Sequence, residues 1–223
     1  LRNLSTRGSE SLIDADILTQ AKEELLVETR KYRREDVFNA DETGLFYKQS
    51  STRSYCFPGD NTKHTKLSKL RITILLCCSA TGEKLTPLII GKYNKPRELK
   101  NFNFEVNRCY YKANKTSWLT KTLFTEYIEE LNEEFIKSGR KILIILDNFS
   151  GHRIDCSLSN IQLCYMRPNL TGVLQPPDAG IINILKCKYR SLVDELMVKN
   201  ISSDIKAITL AVCIRFIVCS WNT

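Results

Sequence analysis

The sequence predicts an α/β fold, a mixed β-sheet with helices on both faces, and three observations predict it. Residues 142–146, ILIIL, form an unbroken apolar run, the mark of a strand buried on both faces at the centre of a sheet. Just before it, Leu119, Leu123, Tyr127, Ile128, Leu131 and Phe135 recur at helical spacing, so a helix delivers the chain to that strand. Earlier segments of strand length, separated by turn residues, suggest an antiparallel start to the sheet.

Taken in order, residues 15–32 predict a docking helix, with Leu18, Ala21, Leu25 and Thr29 on one face. Residues 1–35 are a linker plus this helix, and 36–223 are expected to form one domain, within reach of a single core. Val37–Tyr47 is a strand on which Val37, Asn39 and Asp41 share one face while Phe38, Ala40 and Glu42 share the other. Asp41 and Glu42 therefore cannot both enter one site, and Asp41 is favoured because Thr43-Gly44 turns the chain just after Glu42. Strands are expected at Arg53–Phe57 and Leu70–Ser79, then a sheet edge at Leu85–Gly91 interrupted by Pro87. A short strand at Val106–Tyr111 comes next, before a helix capped by Thr116 or Ser117 and closed by Gly139. After Asp147 a polar turn and a short helix lead to a strand near Ile161–Met166. Pro176-Pro177 then open a long helix on which Ile182, Leu185, Tyr189, Leu192, Val193 and Leu196 form a stripe in line with Asp178. The apolar stretch 205–221 contains Lys206 and Arg215, which makes it a core helix rather than a bilayer helix.

The formal charge of +8 is spread in small groups, including Lys63/Lys66/Lys69/Arg71, Lys92/Lys95/Arg97/Lys100 and Lys186/Lys188/Arg190. Such a balance favours a polyanionic partner. Nine cysteines occur without a CxxC, and the histidines are two, His64 and His152. This pattern suits reduced thiols in an intracellular protein and argues against a zinc site.

Three carboxylates carry the chemistry. Asp147 ends the buried strand, where α/β sheets bind ligands, although it could equally start a turn. Asp41 stands on a strand, or in a strand-end acidic turn. Asp178 opens a packed helix, as a ligand or as a first-turn aspartate. Convergent carboxylates repel unless a cation neutralises them, and an all-oxygen set suits magnesium or manganese. With a basic surface around them, the natural substrate is a phosphodiester, attacked in line between two metal ions.

The strings NADETGLF at Asp41, ATGEKLTPLIIGK at 80–92, SWLT at 117–120, LDNFSGH at Asp147 and NLTGVLQPPDAGIINILK at Asp178 resemble, in order, the DDE superfamily endonuclease domain of pogo-like transposases. That group lies in the mariner superfamily, with tigger, jerky and centromere protein B relatives. The resemblance implies a ribonuclease H-like fold of the retroviral integrase type over 36–223. It also implies an aspartate triad, Asp41, Asp147 and Asp178, both catalytic and metal-binding, with Mg2+ or Mn2+, two ions. The implied function is DNA strand cleavage and transfer in the nucleus, with transposon ends and target DNA as partners and a homo-oligomer on DNA. Asn148 and His152 would have supporting roles, as turn stabilisers, while Gln175 and Lys186 are DNA-contact candidates or solvated side chains. The segment MRPNLTGVLQPPDAG departs from the family's usual LPPNTTSxLQPLDQG but keeps the aspartate. No helix-turn-helix domain is visible in these residues, so DNA contact is expected through backbone charge. The alternative is a host-adopted or decayed remnant that binds DNA or a protein partner without cutting.

Overall fold

The computed structural model describes residues 15–49, 68–168, 180–199 and 208–223. Among them, six strands form one sheet: β1 (Val37–Phe46), β2 (Arg71–Ser79), β3 (Leu88–Gly91), β4 (Tyr110–Ala113), β5 (Ile142–Leu146) and β6 (Ile161–Tyr165), in the order β4-β3-β2-β1-β5-β6. β2 pairs antiparallel with β1 and β3, and the remaining pairs are parallel. β2 alone therefore runs against the other five. Among the described residues four α-helices accompany the sheet: α1 (Ala15–Thr29), α2 (Lys121–Ser138), α3 (Ile182–Lys199) and α4 (Leu210–Asn222).

The period-two alternation of the strands divides the core into two layers. Phe38, Ala40, Leu75, Cys77, Ile142 and Ile144 pack on α2 through Phe124, Tyr127, Ile128, Leu131 and Phe135. At roughly 2 kcal/mol for each large side chain removed from water, these five α2 residues supply on the order of 10 kcal/mol of gross burial. On the opposite face Leu45, Ile72, Ile74, Leu76 and Ile89 meet Leu185, Tyr189 and Val193 of α3 and Cys213, Ile214 and Ile217 of α4. Leu143 and Ile145 on that same face receive Leu25 from α1. Helices thus cover both faces, as expected for the α/β class.

Arg140 fixes how β1 and β5 sit against each other. Its Nε and Nη2 donate to Asp36 Oδ1 at 3.0 and 2.8 Å, and Nη2 also donates to the Glu35 carbonyl. Its other edge holds both oxygens of Glu83, after β2. Because Asp36 immediately precedes β1 and Arg140 closely precedes β5, this clamp sets the register Val37↔Leu143 and Asn39↔Ile145.

Several expectations are corrected. β5 is buried throughout but lies one strand from the edge, because β6 closes that side. β3 is internal rather than an edge, since β4 pairs with it and Pro87 stands just outside the ladder. β4 begins at Tyr110, because Asn103 accepts the N–H of Val106 and closes a turn where an earlier strand start was expected. The cap of α2 is Thr120, whose hydroxyl accepts the N–H of Leu123. Thr116 is instead held by Asn114, and Ser117 adopts a φ of 56°. The segment after Asp147 is one 3-10 turn, Ser150–His152. Arg53–Phe57, Pro176-Pro177, Gln175, His64 and Asp178 lie outside the described residues.

Candidate active site

The site is built at the carboxyl ends of β1 and β5, neighbouring parallel strands about 4.8 Å apart. Carrying their register two residues beyond Asn39↔Ile145 sets Asp41 level with Asp147. Asp41 follows the parity of Asn39, on the face covered by α3 and α4, and Asp147 directly follows the last residue of β5. Asp41 is 8% exposed, and its Oδ1 accepts the N–H of Glu42 at 2.8 Å. Asp147 Oδ1 accepts the N–H of Phe149 at 3.2 Å. The third expected residue, Asp178, lies outside the described residues, four positions before α3. Of that helix, Leu185, Tyr189 and Val193 pack with Leu45, on the Asp41 side of the sheet.

Glu42 points the other way, with Phe38 and Ala40, and meets a residue that the sequence had placed only in a turn. His152 is fully buried. Its Nε2 lies 2.9 Å from Glu42 Oε2, and its Nδ1 lies 2.6 Å from Asp147 Oδ1. The second contact is angled away from the ring N–H direction, so it is an ion pair more than a directed hydrogen bond. The ring is wedged between Phe124 of α2 and Phe149, at centroid distances of 5.0 and 5.4 Å. A side chain at Gly151 would strike the Phe149 ring at 2.3 Å, which explains the glycine in this turn. Tyr165 donates its hydroxyl to the His152 carbonyl at 2.9 Å, tying the turn to β6.

The electrostatics follow from this bridge. Burial opposes a charge on His152, but Asp147 and Glu42 outweigh it and raise the imidazole to about 9. Burial likewise works to raise Asp147, and the His152 ring and the Phe149 N–H reverse that and hold its carboxyl below the usual range. Asp147 is therefore ionised and paired with a cation from the chain itself.

A divalent ion fits the donor chemistry. Asp41 and Asp147 offer carboxylate oxygens, and both contacts to Asp147 fall on Oδ1. Among the described residues no cluster of three or more acids, histidines or cysteines is gathered tightly enough to enclose an ion. Asp41, Asp147 and the glutamate–histidine pair were separable only by tertiary contact. The available signals were the parity of Glu42 and a histidine five residues after the strand-end aspartate.

Comparisons place this arrangement in a family. The DDE superfamily endonuclease model matches residues 69–223, a span that contains Asp147 and Asp178 and begins after Asp41. Tigger transposable element-derived protein 4 of Mus musculus is 34% identical over 174 residues, covering 78% of this chain and 34% of that protein. CENP-B homolog protein 2 of Schizosaccharomyces pombe is 28% identical over 203 residues, covering 84% of this chain and 38% of its own length. The chain thus spans little more than a third of these relatives. Among solved structures, the Mos1 mariner paired end complex with Mn superposes with a TM-score of 0.55 at 11% identity, covering 100% of this chain and 65% of that one. This likeness shows a shared ribonuclease H-like fold. The chain belongs to the DDE superfamily endonucleases, within the pogo-like transposase group of Tigger, CENP-B and Jerky relatives.

Proposed function

We propose that residues 36–223 form a DNA-cleaving and strand-transferring domain that acts in the nucleus, on transposon ends and target DNA, as a homo-oligomer. Asp41, Asp147 and Asp178 would hold two Mg2+ or Mn2+ ions. Bound there, such ions would activate the attacking oxygen and stabilise the leaving oxygen of an in-line displacement. The observation that supports this proposal is the parallel β1–β5 register, Val37↔Leu143 to Asn39↔Ile145, which if continued for two residues would level Asp41 with Asp147.

The remaining work falls to the chain's own residues. Arg140 holds the two strands in register from their opposite ends. His152 keeps the Asp147 carboxylate in one orientation, and Glu42 keeps the ring in place from the other side. The net charge of +8 favours association with a polyanion. One observation favours the alternative, binding without cutting: His152 Nδ1 already lies 2.6 Å from Asp147 Oδ1.

Calorimetric titration with Mn2+ separates the two. Wild-type protein is expected to bind, and Asp41→Asn and Asp147→Asn are each expected to lose at least ~tenfold in affinity, the usual cost of disturbing a metal site. Folded variants that bind Mn2+ as the parent does would refute the ligand assignment.

A further inference from the structure

An open basin of about 660 Å3 lies at the same end of the sheet as Asp147, on the other side of β1. The topology assembles it. Strands β1, β3 and β4 run parallel to β5, so the residues that follow them, Tyr47, Lys92, Tyr93 and Lys115, rise at that end. The reversed strand β2 brings the start of its own segment there, Lys69 and Arg71. β3 is three strand spacings from β5, about 14 Å.

Among the described residues six cations line the basin, Lys69, Arg71, Lys92, Lys95, Arg97 and Lys115, against one carboxylate, Glu98. Glu98 is committed elsewhere, accepting the N–H of Leu210 at the start of α4 and lying 3.8 Å from Lys48. Among the described residues none of the six cations forms an ion pair. Arg71 borders the basin, while its guanidinium stacks 3.7 Å from the ring centroid of Trp118 and over Gly44, on the Glu42 face of the sheet. The turn carrying Trp118 is held by Thr73, whose hydroxyl donates to the Ser117 carbonyl at 2.7 Å. At the rim, Tyr93 is 61% exposed, and its carbonyl accepts the Tyr111 hydroxyl at 2.9 Å.

We propose that this basin takes an unpaired nucleotide of a DNA strand, with its phosphate on Lys92, Lys95 and Arg97 and its base against Tyr93. Cationic side chains that lack an acidic partner are free to donate to a phosphate. Exposed aromatic rings interleaved with cations are the elements of single-strand sites, where the π-face serves any base. The concavity suits one nucleotide, whereas a duplex would meet only the rim. The identity of the polymer as DNA rests on the proposed function, and the cationic and aromatic chemistry stands without it.

Fluorescence anisotropy tests the proposal, with a short labelled oligothymidylate and a labelled duplex hairpin of equal phosphate number. Chelator is present throughout, so a defective carboxylate site cannot alter the outcome. Tyr93→Ala is expected to weaken oligothymidylate binding about tenfold and hairpin binding less than about twofold. Tyr93→Phe retains the parent affinity. Lys199→Ala, remote from the basin on α3, leaves both unchanged. The proposal is overturned if the chain does not bind oligothymidylate, if Tyr93→Ala is neutral or lowers both affinities equally, or if Tyr93→Phe falls as far as alanine.

Discussion

Replacing Arg140 with alanine removes the clamp that sets β1 against β5, and the structure allows its cost to be worked out. Two bonds converge on Asp36 Oδ1 at 3.0 and 2.8 Å, and Asp36 is only 14% exposed, so this arm contributes about 2 kcal/mol. The Glu83 arm is 40% exposed at its acidic end and is worth about 0.5 kcal/mol. The guanidinium also lies 5.5 Å from the centroid of Phe135, adding about 0.5 kcal/mol. Arg140→Ala should therefore lower the unfolding free energy by about 3 kcal/mol, and Arg140→Lys, which keeps the charge but loses the fork, by roughly half of that. Urea denaturation followed by tryptophan fluorescence reads the change, with an unaltered denaturant slope. A double-mutant cycle with Asp36→Asn should give a coupling of about 1.5 kcal/mol. A loss below about 0.5 kcal/mol for alanine, or a coupling near zero, would show that the clamp does not hold the register.

Other consequences are equally direct. In metal-free protein the folded state holds the His152 proton up to about pH 9, whereas the unfolded chain releases it near 6.5. This contribution is complete below about 6.5, about 3 kcal/mol in size, and is lost as the pH rises through about 9. The difference in urea stability between wild type and His152→Gln should shrink accordingly, and parallel pH profiles would refute the bridge. Gly91→Ala places a methyl group 2.2 Å from the Tyr111 hydroxyl oxygen and 2.9 Å from the ring carbon bearing it. It should cost about 2 kcal/mol, measured by thermal unfolding, with partial recovery in Gly91→Ala/Tyr111→Phe. Equal losses in the single and double variants would contradict the contact.

The parts legible in the sequence were those whose cause is local. The ILIIL run of β5, the α2 stripe and its end at Gly139 follow from burial and from a left-handed cap that glycine adopts without strain. The alternation at Asp41 and Glu42 was legible too, because parity along a strand is a geometric necessity. What was not legible depends on partners distant in the chain. β4 turns the expected edge β3 into an interior strand, and β5, expected at the centre, lies next to the edge strand β6, which no residue of β3 or β5 announces. Thr120 caps α2 because Asn114 claims Thr116, donating its side-chain amide to the Trp118 carbonyl as well. The Glu42–His152–Asp147 bridge spans 110 positions between Glu42 and His152, so the charge that stabilises Asp147 emerges only on folding.

Nicking of supercoiled plasmid, in Mn2+, Mg2+ or Ca2+, tests the central claim most directly, with Asp41→Asn and Asp147→Asn run beside the wild type. Cleavage in Mn2+ or Mg2+ that both variants lose, while their circular dichroism matches the parent, is the predicted result. Cleavage that persists in either folded variant, or a wild-type chain that binds Mn2+ and DNA yet never cuts, would contradict it.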